Sequence, residues 1–268
     1  MKLKLILFIL SIIAFPALAF NQVIHIPETI VNDAFAGKVG SLVFIDCSSG
    51  EISDFHPNAS SEPLAPCSTF KIWNTLIGLE IGVISSAEQT FYRWDGEVRA
   101  IPDWNKDLNL KEAFQVSCVP AFQNLAREVG SRRMQSWVDK IGYGNRDTSA
   151  GIDLFWLPAP GRKTLLITPR EQARLIYELV SGKLPFSEKS RRILKEIMKT
   201  KVTDRGILYG KTGSGGDNSG TYVLGWYVGY VESKGRTYAF ACNAKGNNIS
   251  GKDARNIVET VFKKQGLL

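Results

Sequence analysis

Hydrophobic residues follow two different registers along this chain. Near the start, short β-rich runs occupy residues 40–46 and 52–55 and flank Ser48-Ser49-Gly50, which predicts an antiparallel hairpin. Toward the other end, residues 221–231 and 237–242 are again β-rich and are separated by Ser233-Lys234-Gly235. A helical pattern carrying Ile257, Val258, Val261 and Phe262 follows them. Strands from both ends are expected to share one sheet. The middle takes the helical register, over residues 72–81, 120–129 and 132–141. Thr168-Pro169-Arg170-Glu171 places an N-cap threonine, a proline at the first helical position and a capping-box glutamate in sequence, so a helix is predicted over 169–181. Another is predicted over 187–200. No internal repeat or low-complexity linker divides the chain, so the helices read as an insertion into the sheet. The expected fold class is α+β, an antiparallel β-sheet flanked by helices with an inserted all-helical subdomain.

Residues 1–19 break this pattern. Lys2 and Lys4 precede an apolar run over residues 5–15, and Ala17-Leu18-Ala19 supplies small residues at cleavage spacing, so a secretory signal peptide is predicted, with the mature chain starting at Phe20. The run is shorter than the roughly 20 apolar residues that span a bilayer, and no other stretch is long enough, so no stable membrane anchor is expected. The roughly 250 remaining residues, 20–268, suffice for a single domain with a sheet subdomain from both ends and a helical one from the middle.

The net charge of +7 falls by two when Lys2 and Lys4 leave, and the remaining basic residues are scattered. That argues against a nucleic-acid partner and suits small anionic substrates. Cys47, Cys67, Cys118 and Cys242 lack both Cys-x-x-Cys spacing and nearby histidines, so no metal site is expected. Export permits disulfides, and Cys47 with Cys67 is the pair near in sequence, but a core of this size needs none; small buried hydrophobes are the expectation.

The two histidines, His25 and His56, lie near the start, away from any serine in a catalytic setting, which argues against a Ser-His-Asp triad. Ser68-Thr69-Phe70-Lys71 offers another base. In a helix starting at Ser68, Lys71 falls on the same face and within hydrogen-bond reach of the hydroxyl. The Ser68 backbone N–H, at the positive helix end, is a candidate oxyanion donor. A lysine near its reference pKa of about 10.4 cannot take a proton, so the site must disfavour its charge, and Phe70, Val119, Phe122, Trp156 and Leu157 are candidates for an apolar wall. Alone, the Ser-x-x-Lys spacing describes many ordinary helix starts. Lys211-Thr212-Gly213, just before a glycine-rich turn and a strand, adds a second lysine, and Gly213 would let a ligand lie along the strand edge while Lys211 and Thr212 hold a carboxylate. Ser117, in Ser117-Cys118-Val119, is either a proton relay from Lys211 or a helix cap. Tyr143-Gly144-Asn145 reads first as a helix stop and turn.

Taken in order, Ser68-Thr69-Phe70-Lys71, Ser117-Cys118-Val119, Tyr143-Gly144-Asn145, Phe155-Trp156-Leu157 and Lys211-Thr212-Gly213 resemble the motifs of class D β-lactamases, the oxacillinases, over nearly the whole mature chain. Penicillin-binding transpeptidases usually carry asparagine where this chain has Val119. The resemblance implies the serine β-lactamase fold, with its site in a cleft between sheet and helices, and hydrolysis of penicillin-type β-lactams, conferring resistance. It implies that Lys71 becomes N6-carboxylysine by taking up carbon dioxide or bicarbonate, with no metal or organic cofactor. Trp156 would hydrogen-bond that group and Val119 would shield it. Ser68 would be the nucleophile and N-carboxylated Lys71 the general base. The Ser68 and Ser214 N–H groups would hold the oxyanion, and Ser117 with Lys211 would return the proton.

The resemblance further implies that Thr212, Gly213 and Tyr143 contact substrate. Many relatives place a carboxylate-binding arginine between the last strand and the C-terminal helix; here Lys252 stands nearest that position, with Arg255 one turn later. Gly215-Gly216-Asp217-Asn218-Ser219-Gly220 forms a flexible rim. With the leader, the resemblance implies a periplasmic enzyme of a Gram-negative bacterium, as monomer or homodimer. The alternatives are a β-lactam sensor domain and a D-alanyl transpeptidase or carboxypeptidase.

Overall fold

The computed structural model describes residues 25–268, so the predicted leader and the Phe20 start lie outside the described residues. Helix α1 (Glu28–Phe35) leads into β1 (Val39–Asp46) and β2 (Ile52–Phe55), the predicted hairpin. A short α2 (Pro57–Ser60) precedes a 3-10 turn (Cys67–Phe70) that runs straight into α3 (Lys71–Glu80). Then come β3 (Thr90–Tyr92), β4 (Leu108–Asn109), α4 (Leu110–Gln115), α5 (Val119–Val129) and α6 (Ser131–Ile141). After α7 (Pro169–Val180) and α8 (Glu188–Met198), the chain returns to strand as β5 (Lys199–Val202), β6 (Gly206–Gly216), β7 (Tyr222–Ser233) and β8 (Arg236–Lys245), and ends in α9 (Gly251–Lys264).

The main sheet is antiparallel in the order β2-β1-β8-β7-β6-β5, so strands from the two ends do meet, at β1 and β8. Its inner strands are buried on both faces. Alternate residues, such as Leu42, Phe44, Tyr238 and Phe240, pack toward α1 and α9. Their neighbours, such as Val43, Ile45, Ala239 and Ala241, join the larger core with the middle helices. At about 25 cal/mol per Å² of apolar surface, this two-sided burial is the main force holding the layers together. Helix α7 begins as its motif predicts, with Thr168 and Glu171 forming a reciprocal capping box.

Two predicted boundaries move. Lys211-Thr212-Gly213 does precede the glycine-rich turn and β7 but itself lies inside the eleven-residue β6, a strand the patterning did not predict because its glycines, where the rest of the molecule approaches closely, disguise it. The helix predicted over 187–200 stops at Met198, and Thr200 instead turns its hydroxyl to the Leu208 carbonyl of β6 at 3.1 Å.

Candidate active site

Ser68 sits half-buried in the 3-10 turn, just after Cys67, whose backbone takes a left-handed φ of 51°. Such a turn persists only if its surroundings hold it. Thr69 Oγ1 donates to the Pro66 carbonyl at 2.7 Å and receives Gln172 Nε2 at 3.1 Å, while Trp226 Nε1 donates to the Ala65 carbonyl at 2.9 Å. Lys71 opens α3, and its Nζ donates to Ser68 Oγ at 2.8 Å. Its side chain is fully buried, with the amine 5.4 Å from the Phe122 ring centroid. Burial pushes the Lys71 amine down to about 7, and the neighbouring Cys118 and Cys67 thiols only partly oppose this.

Ser117 lies between α4 and α5, again left-handed at a φ of 59°, and its Oγ accepts from Lys211 Nζ at 3.1 Å. It is not the helix cap; Cys118 takes that place, with Pro120 in the first turn of α5. Lys211 is buried on β6, with its Nζ also donating to the Thr212 carbonyl at 3.0 Å. Burial, then the charge of Lys71, hold the Lys211 amine well below an ordinary lysine. Ser68, Lys71, Ser117 and Lys211 are thus gathered where β6 meets the helices. A cavity of about 300 Å³ lies beside Lys211, lined also by Phe114, Thr200, Thr212, Tyr227 and Arg255.

Gly213 explains how β6 comes so near. A Cβ there would stand 3.1 Å from the Pro66 carbonyl oxygen and 3.2 Å from the Ser68 nitrogen. Ser214 follows on the same strand, its Oγ accepting from the Gly251 N–H at the head of α9 at 2.9 Å. Trp156 is buried and stacks on Phe70 at 5.9 Å between centroids. Its indole N–H has no partner among the described residues. Val119, the first residue of α5, is half-buried.

Residues 30–264 match the penicillin binding protein transpeptidase domain. The chain is 38% identical over 242 residues to β-lactamase OXA-10 of Pseudomonas aeruginosa, covering 88% of this chain and 89% of that one. It belongs to the class D β-lactamases. The crystal structure of the class D β-lactamase from Bacillus subtilis superposes with a TM-score of 0.82 at 34% identity, over 89% of this chain and 96% of that one. The C-terminal domain of the Bacillus licheniformis BlaR penicillin receptor gives 0.81 at 27% identity, over 90% and 95% of the two chains.

Within this class D β-lactamase chain, two of the residues expected to contact substrate stand apart from the others. Tyr143 is fully buried, with its ring edge-on to Phe70 and its hydroxyl 3.4 Å from Gln172 Oε1, so it backs the nucleophile turn. Lys252 is exposed in the first turn of α9 and does not line the cavity, whereas Arg255, one turn on, does. The two positions are only about 60° apart around the helix but about 4.5 Å apart along it, so Arg255 lies about one turn further along α9, beside Thr200 and Tyr227. Arg255 Nε donates to Glu259 Oε1 at 2.8 Å. Sequence reading also missed Gln172, Trp226 and Trp104. Only Gln172 left a signal, an amide among the apolar positions of α7 where it is 1% exposed.

Proposed function

We propose that the protein hydrolyses the β-lactam ring of penicillin-type antibiotics through an acyl-enzyme on Ser68, and so confers β-lactam resistance. The observation that carries this reading is the 2.8 Å contact between Ser68 Oγ and a buried lysine whose amine is pushed down to about 7. A base so placed and so easily deprotonated is what an unactivated serine needs.

The surroundings of Lys71 fit N-carboxylation: its amine is available unprotonated near neutrality, the Phe122 ring gives it an apolar neighbour, and the buried Trp156 N–H lacks an acceptor among the described residues. Carbon dioxide bound there as a carbamate would supply an anionic base. The Lys71 side chain takes the Ser68 proton as Ser68 Oγ bonds to the lactam carbonyl carbon. The Ser68 and Ser214 N–H groups hold the oxyanion. As the carbonyl–nitrogen bond breaks, Ser117 passes a proton to the ring nitrogen and is resupplied by Lys211, 3.1 Å away. The proton Lys71 took from Ser68 replaces the one given up by Ser117 and Lys211, so Lys71 can then take a proton from water as the water oxygen adds to the acyl carbon, and that proton returns to Ser68 Oγ as the ester bond breaks. Lys211, Thr212 and Arg255 receive the substrate carboxylate in the cavity they share. Residues 1–19 act as a cleaved leader delivering 20–268 as one domain to the periplasm.

Steady-state ring opening of a simple penicillin by the purified mature protein, with and without bicarbonate after acidic carbon dioxide stripping, tests this directly. Sustained turnover restored by bicarbonate supports it. The likeness to the BlaR penicillin receptor favours one other reading, acylation without turnover. A single burst leaving stable acyl-Ser68 by mass spectrometry would establish that reading instead.

A further inference from the structure

Residues 93–107, between β3 and β4, form a surface loop closed on itself. The Arg99 guanidinium donates to both carboxylate oxygens of Asp95, at 2.7 and 2.6 Å, and to Glu97 Oε2 at 3.1 Å. The Arg99 N–H donates to Asn105 Oδ1 at 2.8 Å, and Asn105 Nδ2 returns a bond to the Arg99 carbonyl at 3.0 Å. Trp94 closes the base, its backbone N–H donating to Asp107 Oδ1 at 2.8 Å. Trp104, half-buried beside Asn105, reaches out of this lattice: its Nε1 donates to the Val116 carbonyl at 3.0 Å.

Val116 C=O and Ser117 N–H belong to one planar peptide unit. The carbonyl end of that plane is held by Trp104, and the amide end donates to the Phe114 carbonyl at 3.2 Å. Fixing both ends fixes that plane, the Cys118 N–H fixes the next one by donating to the Ala113 carbonyl at 2.9 Å, and the two planes together hold the left-handed φ that a serine does not adopt unaided. That backbone is what aims Ser117 Oγ at Lys211 Nζ. We infer that Trp104 is a positioning residue for proton delivery: by clamping the Val116–Ser117 peptide plane, its indole N–H keeps the Ser117 hydroxyl on Lys211. This rests on the role of Ser117 under Proposed function. It also couples the loop, which exposes Val98 and Ile101, to the proton transfer step.

Ser117 protonates a leaving nitrogen, and only ring opening has one. Trp104→Phe keeps an aromatic ring and removes the N–H. The expected result is a fall in the pre-steady-state acylation rate of a penicillin of about tenfold, with deacylation within about twofold of the parent. Asn105→Ala, which loosens the loop without touching Val116, should show the same selective loss. In a Ser117→Ala background, Trp104→Phe should add nothing. Equal slowing of both steps, unchanged acylation, or additive effects in the double variant would each overturn the inference. Should Ser117→Ala alone leave acylation intact, the proton role of Ser117 fails and this inference with it. Should Ser117→Ala slow acylation while Trp104→Phe does not, only the role of Trp104 falls.

Discussion

A lysine amine buried beside the Phe122 ring gives up its proton near neutrality, and Lys71 is pushed down to about 7 from 10.5. Between those values the unfolded chain holds a proton that the folded chain has released, so stability rises with pH across that window. Below about 7 both states hold it, and the penalty for burying the charge is complete. Lys71→Met is therefore expected to be more stable than the parent at pH 7, by about 1–3 kcal/mol in bicarbonate-free urea unfolding, with the gain shrinking toward pH 10. Ring opening should be lost at the same time. A midpoint at pH 7 no higher than the parent's would contradict the burial penalty. Acylation by the parent should fall as pH drops below about 7, where the amine is protonated, and a pH–rate profile checks this. Ser68, Lys71, Ser117 and Lys211 were legible in sequence because short motifs fix their types and order. Arg255 was not, since choosing it over Lys252 requires knowing how far along α9 the cavity beside Lys211 sits.

At the scale of elements, the helices with caps or strong periodicity were legible and the glycine-rich strand was not. Thr168 and Glu171 mark the start of α7 in the sequence as they do in space. In β6 the side-chain signal is missing because Gly210, Gly213 and Gly215 stand where neighbours come too close for a Cβ. At Gly215 that Cβ would lie 3.2 Å from Cys67 Sγ, and at Gly213 three atoms of the nucleophile segment lie within 3.2 Å. Gly213→Ala must then push β6 away from Ser68 by a few tenths of an ångström, displacing Ser214 with it. We expect a loss of kcat/KM of at least about tenfold and a destabilisation of about 1–2 kcal/mol. Kinetics and urea unfolding of the same preparation measure both. Parent-like kcat/KM would show that the turn yields without moving the site.

For the whole molecule, a sheet woven from both ends of the chain brings Lys211 to a serine 143 positions earlier, and sequence patterns anticipated that sharing without its strand order. The same sheet separates stability from catalysis. Lys211 is level with Val228 on β7, Val228 with Ala241 on β8, and Ala241 with Val43 on β1, so β1 lies three strand spacings, about 14 Å, from the lysine. Asp46, three residues further along β1, is paired with Arg236, and their side chains are 3% and 10% exposed. Burial works to raise the Asp46 carboxyl, but hydrogen bonds from Ser48 and the charge of Arg236 outweigh it and hold the group below the usual carboxylate range. Stability from this group is therefore present above that range and is lost as pH falls through the lowered value. Asp46→Asn leaves Arg236 without its buried carboxylate and is expected to cost about 2–4 kcal/mol at pH 7. The deficit should narrow in acid, where the parent's own carboxyl is protonated. Because no step of ring opening reaches β1, kcat/KM per folded molecule should match the parent's. A kcat/KM that fell with the unfolding midpoint would instead mean that strain at the end of β1 is carried across β8 and β7 to Lys211.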